Sequence, residues 1–374
     1  MQRTSPSQST GRKAGTGAAA AVMTAALLGR SAAAGGKETV KALVEQVGDT
    51  FGAEDGVQAK YALHGLVIWA GRPHRSVDEV LEAIPLTDGE AGEDAVADAL
   101  HAPAVDRRLV AGTLAEELAA EHSKELKAFL CRQLQWCGEA EDVPALAALL
   151  ADDRLCEPAT QALLAIGGEA ATRALRDALP KAEGGRRVTI LKAVGRLEDA
   201  DSAAEARKDI GAEDRDLRLT ALWALAKMGD GQAAEAERDA ASADPSFAQR
   251  MAFAAALLLA RRLGESGKTD AAEAICRRCM EQAERREAVH ERLAALDALG
   301  DVLGPKAVGD VLKALDSKDL RYRVPAARTA LRLAKAIRKK DRDASDRLLK
   351  KIPDATGEGF VRQDAERLLA GKPV

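Results

Sequence analysis

The chain has 374 residues, 47% of them hydrophobic and 80 of them Ala, which excludes wholesale disorder and allows two domains or one repeat array. Aromatics are only 3%, and strand-favouring residues are scarce, so a β-sandwich is excluded and a nearly all-helical protein is expected. Lys plus Arg number 55 and Asp plus Glu 59, a net charge of −4 that gives no overall pull towards nucleic acid or a membrane.

In chain order, residues 1–36 form a Ser, Thr and Gly-rich start with Arg3, Arg12 and Lys13, then an Ala-rich apolar stretch and an Ala-x-Ala finish. The segment reads as a disordered leader or a signal peptide. The cytoplasm is the favoured location, with export to the periplasm following if residues 1–36 are cleaved. No other run approaches the ~18 apolar residues of a membrane span.

Residues 37–120 form an irregular set of helical repeats. ETVKALVEQVGD and GVQAKYALHGLVIWAG make one helix pair, and VDEVLEAIPL, GEDAVADALHA and DRRLVAGTLAEELAAE supply further helices. Pro73 and Pro85 interrupt the array. Between residues 37 and 121 there are 7 basic and 17 acidic residues, a net of −10. Tyr61 and His64 lie one turn apart in the most apolar helix, where core packing with a satisfied His is expected. Trp69, Trp136 and Trp223 are likewise expected in the core.

Residues 121–374 carry a repeat of about 30 residues. Copies begin at Glu125, Arg154, Gly185, Asp216 and Glu287, with a less regular one at Arg321. Each has two amphipathic helices, the second short and rich in Ala. Gly229 is expected to stop the first helix in a left-handed cap, with Gly138, Gly167 and Gly300 in matching places. The third copy has Leu197, Glu198 and Asp199 there instead. Asp152, Asp153, Asp214, Asp216 and Asp316 lie in loops that open the next unit, where Asp caps a helix. One such unit cannot bury its apolar face alone, so stacking is required. The expected fold is all-α: a right-handed α-solenoid, or superhelix, of stacked antiparallel helix pairs, about 8 to 10 in number.

The pattern D-x-x-x-R-x-x-A-x-x-A-L-x-x-hydrophobic-G, carried by Asp214, Arg218, Ala221, Ala224, Leu225 and Gly229, resembles the HEAT repeat. It is most similar to the short bacterial form named for phycobilisome lyases. Arg323, Ala326 and Ala327 carry it again, with Pro325 inside. A longer hairpin at 247–286 resembles a tetratricopeptide unit around GKTDAAEAI; a HEAT unit with longer helices fits it equally. The resemblance implies a HEAT or armadillo-like architecture. It leaves activity open, because such arrays serve scaffolds, lyases, an iron hydroxylase class and DNA-repair enzymes.

The residues that could carry chemistry are few. His290–Glu291 is one His-Glu pair, whereas the di-iron hydroxylases of this architecture repeat such pairs on successive helices. His64, His74, His101 and His122 are scattered. Cys276 and Cys279 share one helix face, and no second Cys pair exists to complete a zinc site. With Cys131, Cys137 and Cys156 they read as buried thiols. Gly264 to Thr269 lacks the first Gly of a phosphate loop and reads as a turn. From Leu320 to Lys351 there are 12 basic and 3 acidic residues, a net of +9. Within it Arg332, Lys335, Arg338, Lys339, Lys340 and Arg342 are the candidate contacts for an acidic partner or nucleic acid.

The functional expectation is a non-catalytic scaffold that binds another protein through its extended surface. It has no catalytic, cofactor-binding or metal-ligating residues, and no cofactor. The competing readings are a HEAT-repeat enzyme, bilin lyase-like or oxidoreductase-like, and nucleic-acid binding through the basic C-terminal helices.

Overall fold

The computed structural model describes residues 36–52, 56–69, 106–235 and 247–373. The leader, Pro73, Pro85, His74, His101, the helices expected near 77–102 and the Trp69 side chain lie outside the described residues. No strand occurs among the described residues. The chain divides into two compact units between Ile190 and Leu191. Each is a stack of antiparallel helix pairs.

In the first unit α1 (Lys37–Asp49) pairs with α2 (Gly56–Trp69), and α3 (Arg107–Ala119) packs on α1 and on α4 (Lys124–Cys137). The short α5 (Val143–Ala147) runs on as a tight 3-10 turn to Ala151, then come α6 (Cys156–Ile166) and α7 (Gly168–Ala178). Helical periodicity explains the packing. Val40, Leu43, Val44 and Val47 of α1 are buried at i, i+3, i+4 and i+7. In α4 the buried stripe is Leu126, Phe129, Leu130, Gln133, Leu134 and Cys137. Asp106 caps α3 and Ser123 caps α4 through side-chain oxygens that accept from backbone N–H groups.

Helix α8 (Gly184–Arg196) contains the division between units. In the second unit follow α9 (Ala203–Ala206), α10 (Arg215–Lys227), the long hairpin α11 (Phe247–Glu265) and α12 (Thr269–Arg285), then α13 (Val289–Leu303), α14 (Val308–Leu315), α15 (Leu320–Ile337), α16 (Arg342–Ala355) and α17 (Gly359–Leu369). Consecutive members pack on one another from α10 and α11 to the C-terminus. Alanine makes the close approach possible: Ala252, Ala256 and Ala260 of α11 and Ala295 and Ala298 of α13 are fully buried. Gly195 goes further, since a Cβ there would lie 2.8 Å from Trp223 Cζ3 and 2.9 Å from the Ala224 backbone. Trp223 is accordingly half-buried.

The helix ends follow the expected chemistry at some positions and depart from it at others. Gly229 (φ +71°) and Gly167 (φ +68°) are left-handed. Gly138 is extended, at φ −60° and ψ 149°; it is small because a Cβ would meet Leu134 O at 2.5 Å. Gly300 is buried inside α13, and Gly304 (φ +53°) ends that helix. In the third copy Glu198 itself adopts φ +55°. There the Asp199 N–H donates to Val194 O at 3.1 Å, just as the Asp230 N–H donates to Leu225 O at 2.9 Å after Gly229. Asp214 caps α10 as expected, but α15 is capped by Asp319, with Asp316 instead ending α14.

Candidate functional site

The basic C-terminal stretch is built into the stack. Arg332 on α15 binds Asp297 at 2.9 Å and also pairs with Asp301, both on α13. Lys335 reaches Asp364 on α17 at 3.1 Å. Arg338 binds Asp346 at 2.7 Å and donates to Leu368 O at 2.6 Å. Arg342 lies 3.9 Å from the second oxygen of Asp346. Among the described residues only Lys339 and Lys340 of this set have no acidic partner. The six are therefore not one cluster: four are drawn to intrachain acids, and two face solvent at the C-terminal end of α15.

This pairing recurs through each unit at the repeat interval. Arg154 pairs with Glu125, 29 residues away, and Arg186 with Asp153, 33 residues away at 2.7 Å. Lys227 reaches Glu198 over 29 residues, Arg277 reaches Asp310 over 33 and Arg328 reaches Glu358 over 30. A side chain on one helix thus meets the equivalent row of its neighbour. Lys37 lies 2.6 Å from Glu116 and Lys124 lies 2.6 Å from Asp152; these ammonium groups hold both carboxyls below their ordinary values of 4.5 and 3.8.

Exposed aromatics lie on α2 and α4 of the first unit, and Phe247 and Phe360 of the second unit are exposed to a similar degree, 59% each. Trp136 is 58% exposed and Tyr61 62%, against the expectation that both belong to the core. Val57, one turn before Tyr61, is also exposed. The Trp136 ring meets His64 edge to face, with centroids 6.0 Å apart. His64 Nδ1 lies 2.8 Å from Oε1 of buried Gln133, so the histidine is satisfied as expected. Arg107 donates to the carbonyls of Trp136 and Cys137, at 3.1 and 3.0 Å, fixing the end of α4. Tyr61 and Trp136 thus project from a rigid pair of helices. The signal for Trp136 was its place at the edge of the α4 stripe, about 20° beyond Phe129.

The remaining sequence candidates do not assemble. His290 is exposed, while Glu291 is taken by Arg286 at 2.7 Å and by the Gln249 amide at 3.2 Å. All five cysteines are buried thiols rather than disulfides. Burial pushes Cys131, Cys137 and Cys276 up to about 12 from 9.0. Gly267 (φ +81°) makes the turn between α11 and α12. An open cleft of about 470 Å³ lies between α9 and the end of α10, and the Arg207–Asp230 ion pair occupies its polar side. Among the described residues no group of three or more His, Cys, Asp or Glu is placed to hold a metal ion, and no helix is long and apolar enough to cross a membrane.

No protein-family model matches the chain, and a search of the curated proteins finds no match. Among solved structures it is similar to a crystal structure of a Kap121p mutant, with 13% sequence identity and a TM-score of 0.38. The match covers 91% of this chain and 44% of that one, so the chain spans less than half the length of that structure.

Proposed function

We propose that this protein is a non-catalytic repeat scaffold that binds another protein, and that the α2–α4 face is its contact surface. The observation that carries the reading is the exposure of Trp136 and Tyr61 on packed helices. Large aromatics that project from a rigid frame are the residue types that dominate protein interfaces, because they bury much area and lose little rotamer freedom on binding. Two large aromatics left in water on neighbouring packed helices have a ready use in such a contact. The stacked helices hold the face in place, and the inter-helix ion pairs set their register. The finer kinship with the lyase-type bacterial repeat is part of this proposal and is supported by the Asp214 to Gly229 motif alone.

The test is purification of the full-length chain from its native cells at low salt with nuclease, beside the Trp136→Ala variant, followed by mass spectrometry. The expected result is a stoichiometric protein partner with the parent chain that is lost with the variant. Copurified metal or pigment without a protein partner would sink the reading in favour of an enzyme. Nuclease-sensitive material that requires Lys339 and Lys340 would sink it in favour of nucleic-acid binding.

A further inference from the structure

The α2–α4 face also carries two cations placed over aromatic rings. Lys60 on α2 sits 3.7 Å above the Phe51 ring. Phe51 meets Phe129 of α4 edge to face, centroids 6.4 Å apart. The Arg132 guanidinium stands 5.9 Å from the Phe129 centroid. One turn on from Arg132 is Trp136. Two cations therefore stand over aromatic rings on the same two helices that carry the exposed Trp136 and Tyr61. Neither has a carboxylate within ion-pair distance among the described residues. Helix α2 has no acidic residue, and the one acid of α4, Glu125, is held by Arg154. The other cations that stand over rings, Arg286, Arg292 and Arg328, are paired with Glu291, Glu284 and Glu358; Lys60 and Arg132 are not paired in this way.

We propose, resting on the scaffold reading above, that this face binds an acidic peptide segment carrying an apolar anchor. The anchor packs against Trp136 and Tyr61, and Asp or Glu side chains of the segment pair with Arg132 and Lys60. A partner supplies what the fold leaves out: apolar contact for the exposed rings, and carboxylates for cations that ring contacts already orient. A peptide is favoured over a nucleic-acid strand because two cations match a few carboxylates rather than a tracked phosphate backbone.

The experiment is selection of a random dodecapeptide phage library on the immobilised full-length chain, with recovered peptides then measured by fluorescence anisotropy. The expected outcome is a set rich in Asp and Glu around one or two large apolar residues. Trp136→Ala should weaken these peptides by about thirtyfold. The pair Lys60→Glu and Arg132→Glu should weaken them by at least about tenfold, and all three positions are open enough that circular dichroism should stay unchanged. A set without acidic bias, one indifferent to both variants, or no recovered peptide would overturn the proposal. So would displacement of the peptides by a dT20 oligonucleotide, which reassigns the face to nucleic acid. Dimerisation in sedimentation that Trp136→Ala abolishes, with no peptide binding, reassigns it to a second copy. The scaffold reading is tested separately, by the copurified partner; a result that reassigns the face to nucleic acid also counts against its choice of contact surface.

Discussion

The α2–α4 face and the α15–α16 stretch invert what their charges suggest. Residues 320–351 are net +9, yet Arg332, Lys335 and Arg338 are drawn to Asp297, Asp301, Asp346 and Asp364 of the same chain. Residues 37–121 are net −10, yet their α2 contributes a cation without an acid beside exposed aromatics. Charge along a sequence therefore says little about charge offered to a partner. In a stacked array the nearest counter-charge lies one repeat away, about 30 residues along the chain, and it must be subtracted first.

That comparison can be broken in several ways. The largest expected effect concerns the two cores, which are equally closed. At pH 8 the native chain should label with a thiol reagent at least about a thousandfold more slowly at Cys131, Cys137 and Cys276 than after unfolding, because burial holds these thiols near 12 rather than 9.0. Early labelling confined to Cys131 and Cys137 would mean that the first unit opens on its own. Next, Arg338→Ala should cost about 2 kcal/mol in urea unfolding, since it leaves Leu368 O and Asp346 without their donor. Arg332 is half-exposed, so Arg332→Ala should cost only about 0.5–1 kcal/mol, and less in 0.5 M salt. Trp136→Ala should cost about 0.5–1.5 kcal/mol through its edge contact with His64, and the Lys339→Ala, Lys340→Ala pair under about 0.5 kcal/mol, because those lysines give up no buried packing or ion pair. A large loss from Lys339 or Lys340, or none from Arg338, would undo the distinction between structural and free cations.

Acid sharpens the same point. Glu116 and Asp152 sit below their ordinary values because Lys37 and Lys124 bind the ionised forms, so the folded chain holds their protons more weakly than the unfolded one. Their stabilisation is complete above 4.5 and 3.8 and is lost as the pH falls below those values. Both groups are open to solvent, so the fall in melting temperature should be small, and replacing Lys37 by Met should remove the part that Glu116 contributes.

Much of the architecture is legible in the residues themselves. The stripe from Leu126 to Cys137, the Asp214 cap and the left-handed Gly229 follow from local spacing and sterics. Other helix ends do not. Glu198 takes a left-handed backbone with no glycine to announce it, held by the Asp199 N–H bond to Val194 and by ion pairs to Arg262 and Lys227. Gly300 looks like a cap but is buried in α13, which continues one turn further to Gly304. Trp136 sits at the margin of the α4 stripe, where burial depends on what the neighbouring helix brings; its ring meets His64 edge to face and stays 58% exposed.

By itself the sequence determined an all-helical stack of paired helices, because a 30-residue apolar period leaves each unit with a face that only another unit can cover. It also determined that the cysteines belong inside. Only the tertiary structure decided which charges are already spent and which aromatics stay in water. Both depend on side chains that meet across helices about 30 residues apart, and a helix wheel contains no information about its neighbour.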